Sequence, residues 1–391
     1  MEHMLSKGSF LEAVGSMHTV HAVDRRSFCR WLGTGLLVTL ATPVLTGCES
    51  VDEFFTGERT IVDAAGRELV IPSVGHLERI YFTDPVGQVW CFTLAPDLLV
   101  GTSMQFTDEE LAYLPEGTAD LPYLGGFLGG AEIDREALLA EGVQVVFLVT
   151  GAEITEANVS EVERLQKQVN IPVVMVDGSF DNVSSAFRLL GEVLGKEERA
   201  EELVSYCEKV ITEVTAAVAT VPEDRHVKLY YAEGPEGLQT EPDVSEHALA
   251  FQIAGATNVA TIEHIKGAGM SNVSLEQVLA WDPEVIIAWD DVVRGGAAED
   301  IRTNPDWATL AAVKTGRVYT MPNIPYAWCD RPRGINRLIG IQWVANMLYP
   351  DAYDVDMVEE VKAFYSGFYR VDITDDEAKR FLGNSYPPYG T

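Results

Sequence analysis

Eight residues late in the chain, Tyr326-Ala327-Trp328-Cys329-Asp330-Arg331-Pro332-Arg333, hold two aromatics, two arginines and an acid directly before a helical stretch. Guanidinium groups clamp carboxylate or catecholate oxygens, and aromatic faces cover flat rings. Such a loop suits a large, flat or chelated ligand whose edge is partly apolar and partly anionic. Further candidates sit just after predicted strands, where α/β sheets hold their ligands. These are Thr102 to Phe106, the loop Pro122 to Phe127, and Tyr231, Glu233, Trp289, Asp290 and Asp291. The ligand-binding set read from the sequence is Met104, Tyr123, Tyr231, Trp289, Tyr326, Trp328, Arg331 and Arg333. A plainer reading makes Tyr326 and Trp328 packing residues and pairs Arg331 with Asp330. Met104, Met270 and His264 are of types that reach metal centres, but single residues of these types more often serve the core or the surface.

Other chemistries find little support. There is no GxSxG elbow, no P-loop and no GxGxxG after a strand, so an enzyme is not expected. A free zinc or manganese site needs about three histidines plus carboxylates converging on the ion. His76, His226, His247 and His264 are scattered, with no HxH or HExxH pair. Cys91, Cys207 and Cys329 are widely spaced without a CxxC pair, which indicates neither a disulfide framework nor a zinc ribbon. The net charge is −32, and the first 47 residues carry four basic against three acidic side chains, leaving −33 on the remainder. That surface repels nucleic acid and anionic lipid, so neither is an expected direct partner.

The N-terminus reads as an address. Arg25-Arg26 is followed by a mostly apolar stretch, Trp31 to Leu45, too short to span a bilayer comfortably. Leu45-Thr46-Gly47-Cys48 then places small residues before a thiol, as lipoprotein processing requires. Residues 1–47 are expected to be a Tat-type lipoprotein signal peptide, with Cys48 lipidated on the extracytoplasmic side of the membrane and 48–58 a tether.

Beyond the tether, Arg59 to Asp63 and Glu68 to Pro72 flank Ala65-Gly66 as a β-hairpin. Short apolar runs at 79–82, 99–102, 143–149, 173–176, 227–232, 257–259, 285–289 and 318–321 alternate with helical stretches, which predicts mostly parallel, helix-covered sheets. From Asn182 to Val221 there is no proline, and apolar residues recur at helical spacing, predicting two helices that break near Gly195-Lys196. The domains are therefore an N-terminal α/β lobe at 59–180, a linking helical segment at 181–222, a C-terminal α/β lobe at 223–350 and an acidic tail at 351–391. An amphipathic helix is expected over 334–348, and the tail is expected to hold one aromatic patch, Phe364 to Tyr369, and a mobile proline-rich end. The fold class is α/β: two Rossmann-like lobes joined by a long linking helix.

A near-repeat supports two similar lobes. Asp134-Arg-Glu-Ala-Leu-Leu-Ala and Ser274-Leu-Glu-Gln-Val-Leu-Ala lie 140 residues apart, each an N-cap residue opening a helix before a buried-type strand. Both place a glutamate, Glu136 or Glu276, in an exposed first turn. The helix macrodipole alone accounts for such a carboxylate; their matched placement points to paired docking.

With these segments together, the chain resembles the substrate-binding lipoproteins of ABC importers, of the class with a rigid helix between lobes that serves iron–siderophores, haem and cobalamin. The resemblance runs from Thr60 to Pro350. It rests on Asp63-Ala-Ala-Gly-Arg-Glu, Gly237-Leu-Gln-Thr, Ala254-Gly-Ala-Thr-Asn-Val-Ala, Val273-Ser-Leu-Glu-Gln-Val-Leu, and Trp307 through Val318-Tyr. It implies that Glu136 and Glu276 pair with arginines of a permease dimer driven by an ATPase, although Gly142-Val143-Gln144 replaces the family's usual Pro-Asp. It implies as ligand a metal chelate, a ferric siderophore first, with haem or cobalamin as alternatives. A surface sensor or adhesin that only presents ligand is a further alternative.

Overall fold

Asp63 organises the first described turn. In this computed structural model, which describes residues 57–126, 133–264, 269–289 and 295–388, β1 (Glu58–Val62) pairs antiparallel with β2 (Glu68–Pro72). The Asp63 carboxylate accepts the N–H groups of Ala65 and Arg67, closing an Asx-type turn that Gly66 completes at φ +74°. The same carboxylate pairs with the Arg67 guanidinium at 2.5 Å and accepts from Met175 N–H at 3.1 Å, so the hairpin is bound to the sheet behind it. Cys48, Arg25, Arg26, Phe127, Asp290 and Asp291 lie outside the described residues. Among the described residues no helix is long and apolar enough to cross a membrane.

The first parallel sheet follows. β3 (Ile80–Phe82) leads into α1 (Pro85–Leu94), and the short α2 (Asp108–Leu111) and α3 (Arg135–Ala140) precede β4 (Val145–Thr150). α4 (Glu156–Val169) then returns the chain to β5 (Val173–Asp177). The strand order is β3-β4-β5, with Phe82 opposite Phe147 and Phe147 opposite Val174. Both faces are covered, which is why these strands are unbroken apolar runs rather than alternating ones. Phe82, Phe147 and Val174 point to one core, and Tyr81, Val146 and Val173 to the other. The run at 99–102 forms only isolated bridges, Ile80 to Leu99 and Thr102 to Tyr123.

α5 (Val183–Leu194) ends at Gly195 in the left-handed region, and α6 (Glu197–Val218) runs for 22 residues, about 33 Å at 1.5 Å per residue. The second sheet is built from β6 (Lys228–Ala232), β8 (Thr257–Asn258), β10 (Val285–Trp289) and β11 (Val318–Met321). Its order is β11-β10-β6-β8 and every pair is parallel. A small antiparallel pair, β7 (Gln239–Thr240) with β9 (Ser271–Asn272), hangs from the end of β6 through a bridge between Glu233 and Gln239. α7 (Leu249–Ile253), α8 (Leu275–Trp281), α9 (Ala298–Thr303) and α10 (Ala311–Lys314) connect these strands. This mixed α/β architecture with parallel sheets is the expected fold class.

Two expectations are corrected at the C-terminus. The helix after the second sheet, α11 (Arg337–Leu348), is not amphipathic: all twelve residues are buried. The reason is the segment behind it, which is neither a loose tail nor a lone aromatic patch. α12 (Met357–Phe364), a π-helical turn at Tyr365–Tyr369 and α13 (Asp375–Leu382) pack over α11. Phe364, Tyr365, Phe368 and Tyr369 are buried in the main core. Trp343 donates its indole N–H to Ser385 Oγ at 2.7 Å, and Tyr369 O–H donates to Asn336 Oδ1 at 2.9 Å. A helix covered on all sides carries apolar residues on all sides.

Candidate functional site

The C-terminal ends of both sheets open onto one cavity of about 780 Å³. From the first sheet come Pro85 and Val86 at the start of α1, Ser103, Met104 and Gln105, then Glu110, Tyr123 and Gly126. From the second come Trp289 at the end of β10 and the loop that carries Pro325, Tyr326, Arg331 and Arg333; His247 completes the wall. Six of the eight residues singled out from the sequence, Met104, Tyr123, Trp289, Tyr326, Arg331 and Arg333, thus line a single cavity.

The other two do not reach it. Tyr231 is fully buried one residue before the end of β6, on the face that packs against Phe251, with ring centroids 4.9 Å apart. Trp328 is fully buried too, turned away from the cavity and set edge-on to Trp343 of α11 at 6.2 Å. α11 can approach this closely because of Gly340, where a Cβ would lie 2.4 Å from the Trp328 carbonyl oxygen. Both residues belong to the core beneath the site, as the alternation within β6 and the turn of the loop dictate.

The first-sheet wall is fixed by local hydrogen bonds. Asp84 caps α1 by accepting from Gly87 N–H at 3.0 Å, and Thr83 Oγ1 donates to its other oxygen. Burial pushes this carboxyl up to about 6 against those hydrogen bonds. Ser103 gives both its N–H and its hydroxyl to the buried Gln88 Oε1, at 3.0 and 2.7 Å. Phe106 meets Tyr326 edge-to-face at 5.9 Å, joining the two walls. The Tyr326 hydroxyl is buried without a hydrogen-bond partner among the described residues, and its burial holds the phenol protonated.

The second-sheet wall is electrostatic. Arg331 adopts a left-handed backbone (φ +54°), rare for a residue with a Cβ and held here by its side chain's partners. Its Nε donates to Glu233 Oε1 at 2.8 Å and its Nη2 to Glu241 Oε1 at 2.9 Å, while Asp330 lies 3.4 Å away. The guanidinium stacks over Trp289, 5.2 Å from the ring centroid. His247 Nδ1 bonds Asp330 at 2.7 Å, and buried Arg337 stands 3.9 Å from the same carboxylate. Burial alone would raise the Asp330 carboxyl, but the hydrogen bond and charge of His247 and the two guanidiniums outweigh it and hold it low. Arg333 lines the cavity and makes no ion pair among the described residues.

Sequence reasoning named Glu233 only in passing and missed Glu241 and His247 as members of this wall. Glu233 carries a positional signal, being the first residue after β6. Glu241 and His247 are brought in by the β7 excursion and the turn before α7, for which the sequence offers no periodic pattern. The near-repeat is realised as expected. Asp134 caps α3 through Ala137 N–H and Ser274 caps α8 through Gln277 N–H, and Glu136 and Glu276 are exposed at the second helical position of each. Gln144, where the Pro-Asp pattern departs, ties β3 to β4 instead by accepting from the N–H groups of Glu78 and Arg79 and donating to His76 O. No group of three metal-binding side chains occurs among the described residues.

Comparison with known proteins agrees with this geometry. The family model described as "Periplasmic binding protein" matches residues 108–325. The solved structure of an ABC transporter solute binding protein from Sulfurospirillum deleyianum superposes with a TM-score of 0.74 at 31% identity, covering 83% of this chain and 98% of that one. The molybdate-binding protein MolA of Haemophilus influenzae is 30% identical over 277 residues, 63% of this chain and 73% of MolA. Its molybdate-bound structure has a TM-score of 0.64 at 27% identity, covering 81% and 99% of the two chains. The Fe(3+)-citrate-binding protein YfmC of Bacillus subtilis is 26% identical over 143 residues, 37% of this chain and 43% of YfmC. A chain with two parallel sheets, a long helix between them in sequence and a cavity at their strand ends, matched in this way, belongs to the periplasmic binding protein family, as an extracytoplasmic substrate-binding protein of the ABC-transporter class.

Proposed function

We propose that the cavity captures an anionic metal complex, a ferric chelate of the siderophore type in the first place, for delivery to an ABC permease. The observation that carries this reading is that Arg331 and Arg333, the latter without an ion pair among the described residues, line one cavity with Trp289, Tyr326 and Tyr123. A guanidinium in a partly desolvated cleft favours an oxygen-rich anion, and the aromatic faces favour a ligand with flat apolar parts. A volume of about 780 Å³ lies within the range of small-molecule sites and equals on the order of two dozen waters at ~30 Å³ each. That is more room than a bare tetraoxyanion fills. A tetraoxyanion such as molybdate is nevertheless the second reading, supported by the similarity to MolA, which binds it. Haem and cobalamin are weaker candidates of the same class.

In the same reading residues 59–180 and 223–350 are two lobes linked by 181–222, Glu136 and Glu276 dock one lobe each on the permease dimer, and a lipid on Cys48 keeps the binder near its ATPase-driven partner. Titration of the protein's tryptophan fluorescence with ferric siderophores, ferric citrate, haemin, cyanocobalamin and molybdate tests the ligand. A ferric chelate should bind below micromolar and quench through Trp289. Saturation by molybdate alone would select the second reading, and failure of every anionic probe would sink both.

A further inference from the structure

Three carboxylates, Glu233, Glu241 and Asp330, are fully buried around Arg331. The same volume supplies Arg331 and Arg337, with His247 at its edge. Two of the acids are fully engaged. Glu241 accepts from Arg331 and Met270 N–H on one oxygen and from Ser245 Oγ on the other. Asp330 is held by His247 on both oxygens, with Arg331 and Arg337 nearby. Glu233 differs: Oε1 accepts from Arg331 Nε, but Oε2 is buried with no hydrogen-bond partner among the described residues.

An ionised oxygen left bare in a low-dielectric interior carries a large desolvation penalty, and a proton on that oxygen removes it. The groups facing Glu233 are Arg331 and Asp330 from the loop, Glu241 from the segment after β7, and Tyr231 and Tyr230 from its own strand. Burial raises the Glu233 carboxyl most, Arg331 opposes it, and Asp330 and Glu241 raise it further, to about 8. Among the described residues no hydrogen bond engages Arg331 Nη1, and the residue lines the cavity.

We infer that capture of an anionic ligand is accompanied by uptake of one solvent proton, with Oε2 of Glu233 as its acceptor. The inference rests on the anionic-ligand reading above. An anion arriving at Arg331 competes with Glu233 for one guanidinium and adds negative charge to a cluster already rich in it. Protonating Glu233 relieves both effects and leaves Oε1 as an acceptor for Arg331. Affinity for the anion therefore falls as pH rises through the range in which the ligand-free carboxyl loses its proton, and loss of that proton favours release. Glu233 acts here as a positioning residue, through Arg331.

Isothermal calorimetry of the full protein with molybdate and, separately, ferric citrate, each in Tris and in HEPES between pH 6 and 9, reads the proton directly. The expected uptake is about half a proton per ligand at pH 8 and close to one at pH 9, with Kd weakening by up to about tenfold per pH unit above 8. In Glu233→Gln, which keeps an oxygen for Arg331 but cannot ionise, the buffer dependence should vanish and Kd should stop weakening with pH. Infrared difference spectra of the natural protein with and without molybdate at pH 9 should show a gained carboxylic-acid band, whatever the variant's stability. Binding with heats independent of buffer, or unchanged uptake in the variant, overturns the inference and leaves the anionic reading standing. If neither probe binds at any pH, the inference falls, and the siderophore titration decides the anionic reading by itself.

Discussion

Replacing Arg331 with methionine tests whether the wall is a compensated charge cluster or an incidental set of contacts. Removing one partner of a buried ion pair typically costs about 3–5 kcal/mol, because the remaining charge is stranded. Here the three acids differ in how much they lose. Asp330 keeps His247 and Arg337, and Glu241 keeps Ser245 and Met270 N–H. Glu233, with its carboxyl raised to about 8, escapes by holding a proton at neutral pH. The lost stacking on Trp289 adds roughly 0.5–2 kcal/mol. The net destabilisation is therefore about 3 kcal/mol at pH 7.5, or roughly 6 °C in Tm at ~2 °C per kcal/mol for a chain of this size. The pH dependence discriminates further. A carboxyl raised in the folded state makes stability fall as pH rises from its ordinary value to its folded one, here between about 4.5 and 8. Without Arg331 the carboxyl rises higher still, so the loss continues past pH 8. Thermal unfolding by circular dichroism should show a Tm gap between natural and Arg331→Met proteins that is nearly constant from pH 6 to 7.5 and widens from pH 8 to 9. A gap that is constant with pH, or absent, would refute this account of the cluster.

Arg333→Glu should weaken ferric-chelate or molybdate binding at least tenfold with Tm changed by under about 1 °C, since the residue has no ion-pair partner among the described residues; calorimetry and a melting curve together check this. Glu136→Arg with Glu276→Arg should abolish uptake in cells carrying the cognate permease while leaving the Kd of the purified protein unaltered; a lost Kd would move these residues from docking to the cleft. Gly340→Ala should cost about 1–3 kcal/mol in denaturant unfolding, because its Cβ would press on the Trp328 carbonyl.

The elements were legible where one physical rule dominated. Gly195 stopped α5 and the proline-free run gave α6, since capping and helix periodicity act locally. Unbroken apolar runs gave β4, β5, β6 and β10 because both faces of each sheet are covered. Six of the eight residues named from the sequence line the cavity, since α/β sheets leave such space where strands stop. The misses share a cause. Tyr231 and Trp328 have the composition of a binding site, but β6 turns one inward and the packing of α11 claims the other. Glu241 enters the wall only through a non-local turn. α11 looked one-sided because the sequence does not reveal that residues after 356 return to cover it.

That return reaches much further than α11. Phe368 O accepts from Thr93 Oγ1 across 275 residues of chain, and Arg370 donates to the Thr93 and Leu94 carbonyls. Tyr113 stacks edge-on against Tyr365 and Phe381, and Asn384 donates to Val318 O. This segment, made after both sheets, thus seals α1 and β11 alike. During vectorial synthesis the early half has no finished interior to settle into, since the aromatic groups that close it do not yet exist. Closure waits for the residues after 356, and a nascent chain cut short before Phe364 would expose apolar surface near both sheets at once.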